Sequence, residues 1–82
     1  MSSIYVVEDD PLTASLLSTM LKQTYEADVM VFDDGQTALA ACRKNFPDIL
    51  ILDYQLPGIT GIEIYNQLQH DLPETTLVIM AS

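Results

Sequence analysis

The stretch Ile49-Leu50-Ile51-Leu52-Asp53-Tyr54-Gln55-Leu56-Pro57-Gly58-Ile59-Thr60-Gly61 decides how this chain is read. Four aliphatic residues in a row, Ile49 to Leu52, show no polar alternation, as expected of a strand covered on both faces of a parallel sheet. Asp53 follows directly. In open α/β sheets ligands bind in the crevice outside the carboxyl ends of the strands, so a carboxylate there is placed for chemistry. The loop behind it is strong turn chemistry: Pro57 fixes its own φ and Gly58 permits a positive one. Asp53 therefore reads as the centre of a phosphate-handling site.

Working outward, the chain alternates strand and helix signals from end to end. Ile4 to Val7 is a β-branched and aromatic run that stops at Glu8-Asp9-Asp10, delivering carboxylates at its carboxyl end. Asp10-Pro11 opens a helix, with Asp10 suited to the N-cap and Pro11 to the first helical position. Leu12, Leu16 and Met20, with Leu17 and Leu21 beside them, predict a wide packed stripe, and Lys22 falls near the negative end of the helix dipole. Asp28 to Phe32 predicts a second strand. Asp33-Asp34-Gly35 then turns into a helix from about 36 to 45, whose buried side is Ala38, Leu39, Ala41 and Cys42.

Beyond the Asp53 loop, Thr60 caps a third helix, and Glu63 three residues later completes a capping-box pattern. Ile64 and Leu68 face inward, and Asp71-Leu72-Pro73 stops the helix. Thr76 to Ala81 predicts a fourth apolar strand, ending on Ser82. No repeat or linker interrupts the βαβαβαβ series, so right-handed crossovers and a parallel sheet follow.

Composition sets outer limits. The chain has 82 residues, 49% of them apolar, which fits one small globular domain. No run approaches the length of a membrane span or starts like a signal peptide. Twelve acidic residues against three basic ones, Lys22, Arg43 and Lys44, give a net charge of −9, which repels nucleic acid and anionic membrane. The lone Cys42 has no internal partner for a disulfide, in keeping with a reducing cytoplasm. His70 and Met20 read as a helix-end group and a core residue, and Tyr5 and Tyr25 as packing residues.

Parallel strands put all their carboxyl ends on one side, so Glu8 and Asp9, Asp53 and Ser82 are expected to meet at one sheet edge. Three converging carboxylates repel. Either their pKa values rise or a hard cation lies among them, and an all-oxygen site without imidazole or thiolate suits Mg²⁺ best. The competing reading makes Glu8-Asp9-Asp10 an acidic loop that does no more than cap the first helix.

Taken together, Val6-Val7-Glu8-Asp9-Asp10-Pro11, then Leu52-Asp53-Tyr54-Gln55-Leu56-Pro57-Gly58-Ile59-Thr60-Gly61, and a small hydroxyl residue closing an apolar strand at Ser82 resemble the receiver domain of two-component response regulators. The resemblance spans the whole chain. It implies an α/β fold with a flavodoxin-like open parallel sheet in strand order 2-1-3-4. It implies a phosphoacceptor domain in which Asp53 takes a phosphoryl group from a sensor histidine kinase or a histidine phosphotransfer protein. Glu8 and Asp9 would hold Mg²⁺ with Asp53 and the backbone carbonyl of Gln55, and the Ser82 hydroxyl would contact the phosphoryl group. Such a domain works in the cytoplasm and turns over no substrate.

A complete receiver resembles a five-stranded domain, so residues 1–82 correspond to its N-terminal two-thirds, with the fifth strand, its lysine and the last helices missing. Weakened phosphorylation and self-association through an exposed fourth strand are the expectations. The alternative is a pseudo-receiver, a protein-interaction or dimerisation module that is never phosphorylated. A metal-dependent phosphohydrolase would want a second Asp where Gln55 stands, and a flavin site a hydroxyl- and glycine-rich loop where Glu8-Asp9-Asp10 stands.

Overall fold

In the computed structural model, which describes residues 2–54, 56 and 58–81, strand β1 (Ser2–Val7) is the spine of a four-stranded sheet. It pairs in parallel with β2 (Ala27–Phe32) on one side and β3 (Ile49–Asp53) on the other. β3 in turn pairs in parallel with β4 (Leu77–Ala81), so the order is β2-β1-β3-β4, as the resemblance implies. Helices α1 (Pro11–Thr24), α2 (Gly35–Lys44) and α3 (Gly61–Leu68) form the crossovers.

Alternation along β1 splits the core between the two faces of the sheet. Tyr5 and Val7 point to one face with Phe32, Leu50 and Leu52, where they meet Ala38, Leu39 and Cys42 of α2 and Ile64 and Leu68 of α3. The Tyr5 and Phe32 rings meet edge to face with centroids 5.1 Å apart, and the Tyr5 hydroxyl donates to the Asn45 carbonyl at 3.1 Å. Ile4 and Val6 point the other way and are fully buried beneath α1, which crosses β1 and β2. Ile49 and Ile51 on the same face are only half-buried, and Leu77 and Ile79 of β4 are exposed, since no described helix lies over them.

The packed side of α1 differs from the one predicted. Leu12, Leu16 and Met20 are 70%, 59% and 62% exposed, and the helix rests instead on Ala14, with Leu17 and Leu21 half-buried. Small Ala14 lets the helix lie close on the strands, and the large residues turn outward. Met20 is therefore no core residue. Tyr25, at the C-cap of α1, and Tyr65 of α3 are also exposed, while Tyr5 packs as expected.

Each helix is started by a side-chain cap. Asp10 accepts from the Thr13 amide at 3.1 Å, and Asp34 from the Thr37 amide at 2.8 Å. Thr60 and Glu63 form the capping box: the Glu63 amide donates to Thr60 Oγ1 at 3.2 Å, and the Thr60 amide donates to Glu63 Oε1 at 3.4 Å. At the opposite end of the sheet Asp48 joins three strands. Its carboxylate accepts from the Ser3 amide, its amide donates to the Ser3 carbonyl, and its carbonyl accepts from the Leu77 amide, each at 2.9 Å.

Candidate functional site

The register of the central strands builds the site. Val7 is opposite Leu52, so β1 and β3 deliver Glu8 and Asp53 side by side at their carboxyl ends. The Glu8 amide donates to the Phe32 carbonyl at 2.9 Å and holds the chain in line with β2 for one residue past β1. The acidic loop then divides its tasks. Asp10 caps α1 with its carboxylate and donates its own amide to Glu8 Oε2 at 3.1 Å, which orients the glutamate. Helix capping thus accounts for Asp10, and Glu8 and Asp9 are left at the sheet edge.

Glu8, Asp9 and Asp53 each offer a carboxylate oxygen, and these oxygens all lie within 4.8 Å of one another. Glu8 and Asp53 are half-buried and Asp9 is exposed. Partial burial raises the Glu8 carboxyl above its ordinary value; the neighbouring Asp53 and Asp9 push the same way, and the bond from the Asp10 amide opposes them. A cation bound among them would offset that repulsion. The donor set is all oxygen, with no imidazole or thiolate, and that chemistry suits a hard divalent ion such as Mg²⁺.

Main-chain bonds hold Asp53 from behind. Asp53 is opposite Ala81 in the ladder, the Tyr54 amide donates to the Ala81 carbonyl at 2.8 Å, and the Tyr54 carbonyl accepts from the Gly61 amide at 3.2 Å. Gly58, at φ 78°, makes the turn that brings α3 back to this point. Tyr54, next to Asp53 in the chain, is 47% exposed. Beside Glu8 and Asp9 a cleft of about 520 Å³ opens between α1 and β2, passing Ser15 and Ser18 to reach Lys22.

The other candidate residues fall elsewhere. His70 is exposed in the turn after α3, at the far end of that helix from Thr60. Arg43 donates to Gln67 Oε1 at 3.3 Å and links α2 to α3. The Gln55 carbonyl and the Ser82 hydroxyl, expected at the metal and at the phosphoryl group, lie outside the described residues. Sequence reasoning named Gly61 only as the end of a motif, although it packs against the Asp53 backbone. A glycine placed directly after a helix cap was the available signal.

Similarity to known proteins agrees with this geometry. The chain is 30% identical over 81 residues to a probable transcriptional regulatory protein, TcrX, of Mycobacterium tuberculosis, covering 98% of this chain and 34% of that protein. It is 41% identical over 68 residues to the DNA-binding response regulator MtrA of Mycolicibacterium smegmatis, covering 83% of this chain and 29% of that one. The chain thus spans about a third of the length of these curated relatives. Among solved structures, the response regulator TrrA of Thermotoga maritima, in complex with Mg²⁺ and BeF, superposes with a TM-score of 0.88 at 28% identity over 98% of this chain and 68% of that one. The receiver domain of the putative response regulator NarL from Mycobacterium tuberculosis superposes with a TM-score of 0.85 at 28% identity, over 96% of this chain and 64% of that one. The family profile of the response regulator receiver domain matches residues 4–82, and the chain belongs to that family.

Proposed function

We propose that this receiver domain is a phosphoacceptor: Asp53 takes a phosphoryl group from a phosphohistidine, with Mg²⁺ held by Glu8, Asp9 and Asp53. The meeting of three carboxylates from two strands at the sheet edge carries the reading. An ionised Asp53 oxygen attacks phosphorus, the phosphorus–nitrogen bond breaks, and the departing imidazole is neutralised by a proton from solvent, so an aspartyl phosphate forms on the protein. Glu8, oriented by the Asp10 amide, and Asp9 fix the edge against which the phosphoryl group approaches. When bound, the divalent ion offsets negative charge on the nucleophile and on the phosphoryl oxygens.

Receiver domains of response regulators interact with histidine kinases, and a sensor kinase or a histidine phosphotransfer protein is the donor proposed here, in the cytoplasm. The domain is not an enzyme acting on a separate substrate. The Gln55 carbonyl and the Ser82 hydroxyl complete the proposed contacts, the first to the metal and the second to the phosphoryl group.

Intact-mass measurement after incubation with Mg²⁺ and acetyl phosphate tests the proposal. A single phosphoryl increment, absent from Asp53→Asn, is the expected result. No increment on the wild-type chain would leave the pseudo-receiver reading in its place.

Self-association is part of the proposal, because β4 is paired on one side only among the described residues and presents Leu77 and Ile79 to solvent. Sedimentation at rising concentration reads it directly, and a strictly monomeric species removes it.

A further inference from the structure

We infer that Gly61 is a positioning residue for Asp53: because α3 begins without a side chain, the helix backs onto the Asp53 main chain, and this contact fixes where the Asp53 carboxylate meets Glu8 and Asp9. The inference rests on the metal reading of those three groups and goes beyond it.

A Cβ at Gly61 would overlap the Asp53 carbonyl oxygen, and it would lie 3.3 Å from the carbonyl carbon and 2.8 Å from Met80 Cε. The two neighbours differ in kind. The methionine methyl is the tip of a flexible, 40% exposed side chain and can swing away. The carbonyl belongs to the end of β3 and moves only if the Asp53 peptide moves with it.

What yields is decided by what is fixed. α3 is anchored by the fully buried Ile64 and Leu68 and by the Thr60–Glu63 capping box at its start. The Gly61 amide also donates to the Tyr54 carbonyl, one residue past Asp53, so helix and strand end are already bonded at van der Waals range. A methyl at Gly61 therefore drives the Asp53 peptide away from α3 and changes its spacing to Glu8 and Asp9. Intrinsic helix preference works the other way, since alanine is the better helix former, and so cannot explain a loss in the alanine variant.

Gly35 supplies a matched control. It too is the first residue of a helix with no room for a Cβ, but what a Cβ would meet there is side chain, Ile59 and Ile64, and not the Asp53 main chain. Gly35→Ala disturbs the core beneath α2 and α3 without touching the Asp53 main chain.

The test is a Mg²⁺ titration of the wild type, Gly61→Ala, Gly35→Ala and the double variant Gly61→Ala/Met80→Ala. It follows the amide resonances of Glu8, Asp9 and Asp53 at a temperature where circular dichroism shows each protein folded. Gly61→Ala is expected to bind Mg²⁺ about 10- to 100-fold more weakly, as when a group supporting a metal ligand is displaced. Gly35→Ala keeps the wild-type affinity, and Met80→Ala does not restore what Gly61→Ala loses.

A folded Gly61→Ala that binds Mg²⁺ as tightly as the wild type overturns the inference. So does restoration by Met80→Ala, which would make the methionine the group that Gly61 accommodates. If Gly61→Ala is unfolded in buffer, the titrations are repeated in trimethylamine N-oxide, which favours the compact state, and the same outcomes decide. A wild-type chain that takes up no Mg²⁺ defeats the metal reading itself, which separates that failure from this one.

Discussion

Val7 and Leu52 are register partners across the β1–β3 ladder, and each is followed in sequence by a carboxylate of the site. A slip of one residue in this pairing would turn every side chain of β3 to the opposite face, taking Leu50 and Leu52 out of the core. The same hydrophobic contacts that stabilise the sheet therefore hold Glu8 and Asp53 together against their mutual repulsion.

Replacing Glu8 by Gln should stabilise the metal-free protein and weaken its hold on Mg²⁺. Burial, then Asp53 and Asp9, raises the Glu8 carboxyl above the ordinary 4.5. With the folded value above the unfolded one, its stabilising contribution is complete below that ordinary value and is lost as pH rises through the raised one. Near pH 7 the charged Glu8 thus opposes folding, by less than about 1 kcal/mol given solvent screening. Thermal melts with EDTA and with Mg²⁺ should move in opposite directions for Glu8→Gln relative to wild type. Mg²⁺ affinity of the wild type should also fall on acidification, as protons compete for Glu8.

The helix caps set an acid limb. Hydrogen bonds from Thr13 hold Asp10, and bonds from Thr37 hold Asp34, below the ordinary 3.8. Folded values lie below unfolded ones here, so the stabilisation is present above 3.8 and disappears as pH falls through the lowered values. Asp34→Asn, which keeps an acceptor at the cap, should flatten the loss of stability between pH 4 and the acid end of a urea-denaturation series.

Ile64→Ala and Leu16→Ala should behave very differently. Ile64 is fully buried between α3 and the sheet, and its truncation should cost about 3 kcal/mol, a large part of what a domain of this size possesses. Leu16 is 59% exposed, and its truncation should change stability by less than about 0.5 kcal/mol. Urea midpoints of the two variants, measured side by side, check the assignment of the packed face of α1.

Burial pushes the Cys42 thiol up to about 11, so at pH 8 only about one molecule in a thousand carries a thiolate. Iodoacetamide should label the native protein far more slowly than the urea-unfolded chain. Rapid native labelling would mean that α2 opens readily from the sheet.

Much of this was legible in the sequence, for identifiable reasons. Unbroken aliphatic runs such as Ile49 to Leu52 have one economical use in a chain that alternates strands and helices. Asp10-Pro11 and Thr60 with Glu63 are local signals whose physics lies within four residues, and the helices start where they point. The packed side of α1 was not legible, because Leu12, Leu16 and Met20 compete with Leu17 and Leu21 for the same periodic signal. The decision fell to Ala14, whose small size lets the helix approach the strands. The closeness of Gly61 to the Asp53 carbonyl was hidden for a different reason: it joins two elements through a loop, and no periodicity records such a distance.

Because β1 has a ladder on each side and helices on both faces, while among the described residues β4 is paired to β3 alone and has one face open, resistance to local opening declines across the sheet. Amide protons of Val6 and Val7 should exchange with deuterium last, and those of Ile79 and Met80 well before them. Asp53 ends the strand between these extremes, so its carboxylate is joined to the slow part of the molecule through Leu52 and to its fast part through Ala81.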